Sequence, residues 1–172
     1  MNKEEFAKMV DETVKEGGIL AMMYFDIHGN DPEGLKGSMT TFISKISVEN
    51  GVVYAFGNIQ PPIKAEDVPD LYSTMAEVYI LTEDFYALSY ISLNYAPVSV
   101  DILKPEDKIV LSLSDAQKIC VRLSHFSQVF TNTYLNKVLS PKEKDALLKK
   151  IKFREEHGKK MIEDGLKKDK GD

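Results

Sequence analysis

Seven consecutive residues, Ile19-Leu20-Ala21-Met22-Met23-Tyr24-Phe25, run without a charge between Gly17-Gly18 and the polar stretch His28-Gly29-Asn30-Asp31-Pro32-Glu33-Gly34. A short apolar run of this kind suits a β-strand covered on both faces, because a strand open to water on one side alternates. Its length and flanking glycines argue against a helix. A chain containing it has to place other elements above and below a sheet.

The preceding residues offer one such element. Phe6, Met9, Val10 and Val14 recur at helical spacing between Asn2 and Glu16. Asn2 with Glu5 three residues later fits an N-terminal cap, and Gly17-Gly18 fits the stop. Beyond the polar stretch, Met39 to Val48 alternates: Met39, Thr41, Ile43, Lys45 and Ser47 on one face, Thr40, Phe42, Ser44, Ile46 and Val48 on the other. That pattern predicts a strand. Glu49-Asn50-Gly51 predicts a hairpin into a return strand from Val52 to Ile59, since Asn-Gly accepts the positive φ of a tight turn. The opening strands are thus expected to form an antiparallel meander.

Gln60 to Leu71 contains Pro61, Pro62 and Pro69 with Glu66, Asp67 and Asp70, and reads as a long surface loop. The stretch from Met75 to Val138 reads as a scaffold. Tyr72 to Leu81 is strand-like, Glu83 to Asn94 helical after Thr82 as cap, and Val98 to Leu103 and Ile109 to Leu113 strands again. A long helix from Ser114 or Asp115 to Val138 follows. Ala116, Ile119, Leu123, Phe126 and Phe130 share one side of it, and Cys120 beside Ile119 is expected to be a small buried residue. Ser140-Pro141-Lys142-Glu143 marks another helix start. The expectation is an α+β fold: an N-terminal helix, a mostly antiparallel sheet of about six strands with one inserted helix, and a C-terminal helical pair. Residues 1–139 form the α+β domain. Residues 140–172 form a charged helix and frayed tail, either part of that domain or an oligomerisation arm.

Charge narrows the function classes. Residues 141–172 hold 11 Lys/Arg against 8 Asp/Glu, a net of +3, leaving −8 for residues 1–140. An acidic body repels phosphate, so nucleic-acid binding would rest on the C-terminal lysines, and interleaved acids make it disfavoured there. Cys120 is the only cysteine, which rules out an internal disulfide and a cysteine-rich metal site. No long apolar span or leader is expected, so the cytoplasm is the expected location and no membrane partner is foreseen. No GxSxG, HExxH, GxGxxG or GxxxxGK[ST] occurs. No catalytic residue, metal ligand or cofactor is assigned.

Three groups remain as candidates. Asp26, His28 and Asp31, at a strand end opening into a loop, have the residue types for ligand binding or base chemistry, although Asn, Asp, Pro and Gly also build plain loops. Glu77 and Asp101 interrupt apolar strands and are explained by one wet face. Tyr86 and Tyr90 are i, i+4 partners on a helix flank away from Leu88. They and the C-terminal Leu147, Leu148 and Ile151 are candidate interaction residues, because tyrosine joins an apolar ring to a hydrogen-bonding tip. The leading expectation is a non-catalytic protein that works by association, first with itself. The alternative is a small-molecule sensor or enzyme with a site shared by the His28 and Pro61–Asp70 loops.

Overall fold

Helix α1 (Lys3–Lys15) opens on a capping box: Asn2 accepts from the Glu5 amide at 2.8 Å, and the Glu5 carboxylate accepts from the Asn2 amide at 2.8 Å. It closes at Gly17, whose φ is +102°. Gly18 is needed for close approach, since a Cβ there would lie 2.6 Å from the Thr82 carbonyl oxygen. In this computed structural model, residues 2–66, 68–146, 149–150 and 152–153 are described. They fall in two compact units dividing between Val121 and Arg122.

The apolar run becomes β1 (Ile19–Gly29), the centre of an antiparallel sheet. All eleven of its residues pair with β4 (Tyr72–Thr82), from Ile19 opposite Thr82 to Gly29 opposite Tyr72. On its other side lies β5 (Ser99–Lys104). Strand β2 (Val52–Ile59) and the two-residue β3 (Ile63–Lys64) both pair with β4, giving the order β2-β4-β1-β5. The α+β class with its N-terminal helix and antiparallel sheet stands, with five strands.

One side of the sheet carries Ile19, Ala21, Met23 and Phe25 of β1 and Ala76, Val78 and Ile80 of β4, all buried. They pack against Met39, Ile43 and Ile46 of α2 (Pro32–Ile46) and Leu88 and Ile91 of α3 (Phe85–Tyr95). Helix α1 covers the other side, where Val10 meets Leu20 and Leu81 with Phe6, Met9, Val14, Tyr54 and Leu103 around them. It reaches only one end. Leu20 is buried, but from Met22 onward that face of β1 is half-buried or open.

Two segments differ from expectation. Met39–Val48 is not a strand: residues up to Ile46 belong to α2, so the meander does not form and two helices are inserted. Leu35, Met39, Ile43 and Ile46 fall on one helical face and all are buried. Asp31 caps the helix by accepting from the Glu33 amide at 3.1 Å, and Pro32 takes its first turn, where a missing amide costs nothing. The hydroxyls that suggested strand chemistry turn back to the helix, Thr40 to the Lys36 carbonyl at 2.8 Å and Thr41 to that of Gly37 at 3.0 Å. Gly51 (φ +82°) then leads into β2, and a Cβ there would lie 2.6 Å from the Ala87 Cβ. Residues 108–112 also make no strand. Ile109 instead packs its side chain against the main core.

Asp84, not Thr82, caps α3 by accepting from the Ala87 amide at 2.7 Å. Buried Thr82 donates to the Ile19 or Asp84 carbonyl instead. At the far end of α3, Tyr95 donates to the Glu49 carboxylate at 2.5 Å and sets its ring edge against Phe42 at 5.4 Å. Burial, and then the Glu49 carboxylate, push the Tyr95 phenol up to about 12. Helix α4 (Leu113–Val138) begins with Ser112 donating to Asp115 at 2.6 Å and crosses the boundary between the two units. Cys120 on it is exposed rather than buried.

The helical assignment of α2 predicts that Met39→Ala costs about 2–5 kcal/mol in denaturant unfolding. Thr40→Ala, one residue away on the exposed side, should stay within about 0.5 kcal/mol. Equal effects would contradict it. Because the folded Tyr95 pKa lies above the unfolded one, its contribution is whole below pH 10 and disappears as pH rises toward about 12. Absorbance titration near 295 nm should show a late-ionising phenol that vanishes in Tyr95→Phe.

Candidate functional site

The end of β1 and the length of α2 from Gly34 to Lys45 line an open groove of about 810 Å³. Its walls include His28, Asn30 and Asp31 from the connection and Ser38, Thr41 and Lys45 from the helix. Gly34 and Gly37 also line it, and Ile27, Leu35 and Phe42 supply its apolar part. The sequence-nominated loop thus lies at a concave surface. His28 and Asp31 line it, whereas Asp26 does not. Asp26 instead holds His28, with its carboxylate 3.1 Å from Nε2, and both side chains are solvent-accessible.

The chemistry of this groove is that of a polar binding surface. Asp31 is engaged as a helix cap, and the Thr41 hydroxyl is spent on the Gly37 carbonyl. Asn30, Ser38 and the Lys45 ammonium can hydrogen-bond a small polar guest. Among the described residues no group of three or more His, Cys, Asp or Glu is placed to hold a metal ion. The Pro61–Asp70 loop sits at the same end of the sheet, because His28 pairs with Ser73 and Ser73 also pairs with Ile63. Among the described residues, none of that loop lines the groove. The two loops are neighbours without sharing a wall.

The side of the sheet that α1 leaves uncovered is a second feature, and it was harder to see in the sequence. Tyr24 stands opposite Glu77, and Met22 lies between Tyr79 and Asp101. Phe56 stacks on Tyr79 with ring centroids 4.9 Å apart, and Met75 is exposed near the end of the same strand. Glu77 and Asp101 therefore occupy a wet face. Burial, and then the charges of Glu77 and Asp101, push the Tyr24 phenol upward from its ordinary value. The pattern Met22-Tyr24-Asp26-His28 carries this alternation, but the continuous apolar run masks it.

Tyr86 and Tyr90 are half-buried, and Tyr90 packs against the main core. Their flank is not the open surface expected of it. Leu147, Leu148 and Ile151 lie outside the described residues, while 141–146, 149–150 and 152–153 are helical. Within the second unit, α4 exposes Leu123, Phe126, Val129 and Phe130. The Phe126 and Phe130 rings stack at 6.4 Å. Among the described residues no helix is long and apolar enough to cross a membrane.

No curated protein and no solved structure matches this chain. A family model does, over residues 20–170, which takes in β1 from its second residue, β2 to β5 and helices α2 to α4. That match covers well over half the sequence, and the chain belongs to the MJ0538 family.

Proposed function

We propose that this protein acts without catalysis, by associating with further copies of itself in the cytoplasm, and that α4 supplies a principal contact. The observation that carries the reading is the apolar stripe of α4 in the second unit. Leu123, Phe126 and Val129 are 49%, 43% and 50% exposed. Leu123, Phe126 and Phe130 are spaced by three and four residues, and Ile119 and Ala116 continue the same spacing upstream. A 3-4 repeat is the seam by which helices pack side by side, each apolar knob entering a hole on the facing helix. Large exposed side chains in a row, rather than scattered singly, mark contact surfaces. The cytoplasmic placement rests on a sequence with one cysteine and hence no internal disulfide.

A second reading has one observation in its favour: the groove beside α2 coincides with the His28 loop and presents Asn30, Ser38 and Lys45 together. It supports a small-molecule sensor. NMR titration with small polar ligands should then move the Asn30, Ser38 and Thr41 amides as a group; amides that stay fixed across a broad panel count against it.

For self-association, Phe126→Glu and Leu123→Glu are expected to weaken the assembly at least tenfold by sedimentation velocity. Circular dichroism should be retained, because neither side chain belongs to the buried core. Removal of residues 141–172 should also weaken assembly and leave the sheet folded. Variants that assemble like the unmodified chain would refute the role of α4.

A further inference from the structure

Strand β5 ends the sheet. Its inner edge pairs with β1, and among the described residues no strand pairs with its outer edge. Edge strands are usually protected by an internal proline, a charge on the core-facing side, or a bulge that twists the edge away. Ser99–Ile102 carries none of these. Pro97 and Pro105 lie outside it, and the irregularity follows it: Leu20 faces Lys104 while Ala21 faces Ile102, which leaves Leu103 as the extra residue of β5. Asp101 is opposite Met22, on the sheet's wet face. On the other face, Val100 is opposite buried Met23 and Ile102 opposite buried Ala21. The core face of the sheet thus runs out at a rim where Val98, Val100 and Ile102 are 63%, 38% and 42% exposed.

What completes such a rim is an extended strand, whose main chain bonds to the open edge and whose alternate side chains are apolar. The β5 segment has that pattern itself. Antiparallel pairing of two β5 strands about a two-fold axis at Val100 sets Val100 against Val100 of the second copy and Val98 against its Ile102. On the wet face the same register sets the Ser99 hydroxyl, a donor, against the Asp101 carboxylate of the second copy. Shifting the axis to Asp101 would instead place two carboxylates directly opposite, which is destabilising. The pattern is self-complementary in one register and self-repelling in the next.

We propose that a second copy of this chain docks on the outer edge of β5, pairing antiparallel about Val100 so that the two sheets become one continuous sheet. The inference rests on the self-association reading for its occupant, but it places a contact on the first unit, on residues other than those of the α4 stripe.

The test uses the full chain carrying Cys120→Ser, so that one introduced cysteine is the only thiol. Directly opposed residues in an antiparallel pair have Cα atoms roughly 4.5–5.5 Å apart, within disulfide reach. In the proposed register Asp101 and its counterpart are offset by two residues, beyond about 7 Å. Under mild oxidation Val100→Cys should form covalent dimer at least tenfold faster than Asp101→Cys, read on non-reducing gels. Ser99→Asp, which opposes two carboxylates, should weaken association about tenfold, and Ser99→Lys should strengthen it. If the unmodified chain is monomeric in sedimentation, both this inference and self-association fail. If it associates but Asp101→Cys cross-links as fast as Val100→Cys, or the Ser99 variants leave association unchanged, only the β5 pairing is overturned.

Discussion

Eleven consecutive residue pairs join β1 to β4, and the rest of the first unit is placed by that ladder. It sets the alternate residues of both strands on common faces, so Ala21, Met23 and Phe25 share a wall with Ala76, Val78 and Ile80. That wall requires a cover, which α2 and α3 provide. The opposite wall is apolar only near Leu20 and Leu81, where α1 sits. Where Glu77, Asp101 and Asp26 enter, the side chains no longer favour a dry layer, and the face opens to water. The division between core and surface follows from one register, since a slip of one residue would turn every core side chain outward.

The same constraint explains where the molecule is left incomplete. Among the described residues β2 and β5 are the edge strands of the sheet, and its core-facing apolar residues continue to the β5 rim. Helix α4 adds a row of large apolar side chains in the second unit. Both are surfaces of a kind that favours association, because apolar area removed from water stabilises by about 25 cal/mol per Å² before the costs of docking are met. The groove beside α2 offers less. Two of its polar groups, Asp31 and Thr41, are engaged in holding their own backbone.

Much of this was legible in the residues. Asn2 and Glu5 marked α1, the uninterrupted run marked β1, and the aromatic and β-branched composition of Tyr72–Leu81 marked β4. The failure at Met39–Val48 has a physical cause. Residues 39, 43 and 46 satisfy a helical face, while 39, 41 and 43 satisfy a strand face, and Thr40, Thr41 and Ile43 favour strands locally. The choice was made by packing, since α2 covers a sheet face that Leu35, Met39, Ile43 and Ile46 fit together. Asp31-Pro32-Glu33 carried the missed helix-start signal, hidden because the same residues build turns. Ile109–Leu113 had strand composition but no ladder to join. The candidate site was half legible: His28 and Asp31 line a concavity that Asp26 does not reach, Tyr86 and Tyr90 are half-buried, and the β5 rim depended on strand order, which no single sequence reveals.

Self-association requires that the unmodified chain not persist alone. Sedimentation equilibrium across a micromolar concentration range measures this without labels or substitutions. A mass of at least twice 19.4 kDa that falls toward 19.4 kDa on dilution is the predicted result. A single 19.4 kDa species at every concentration would contradict it.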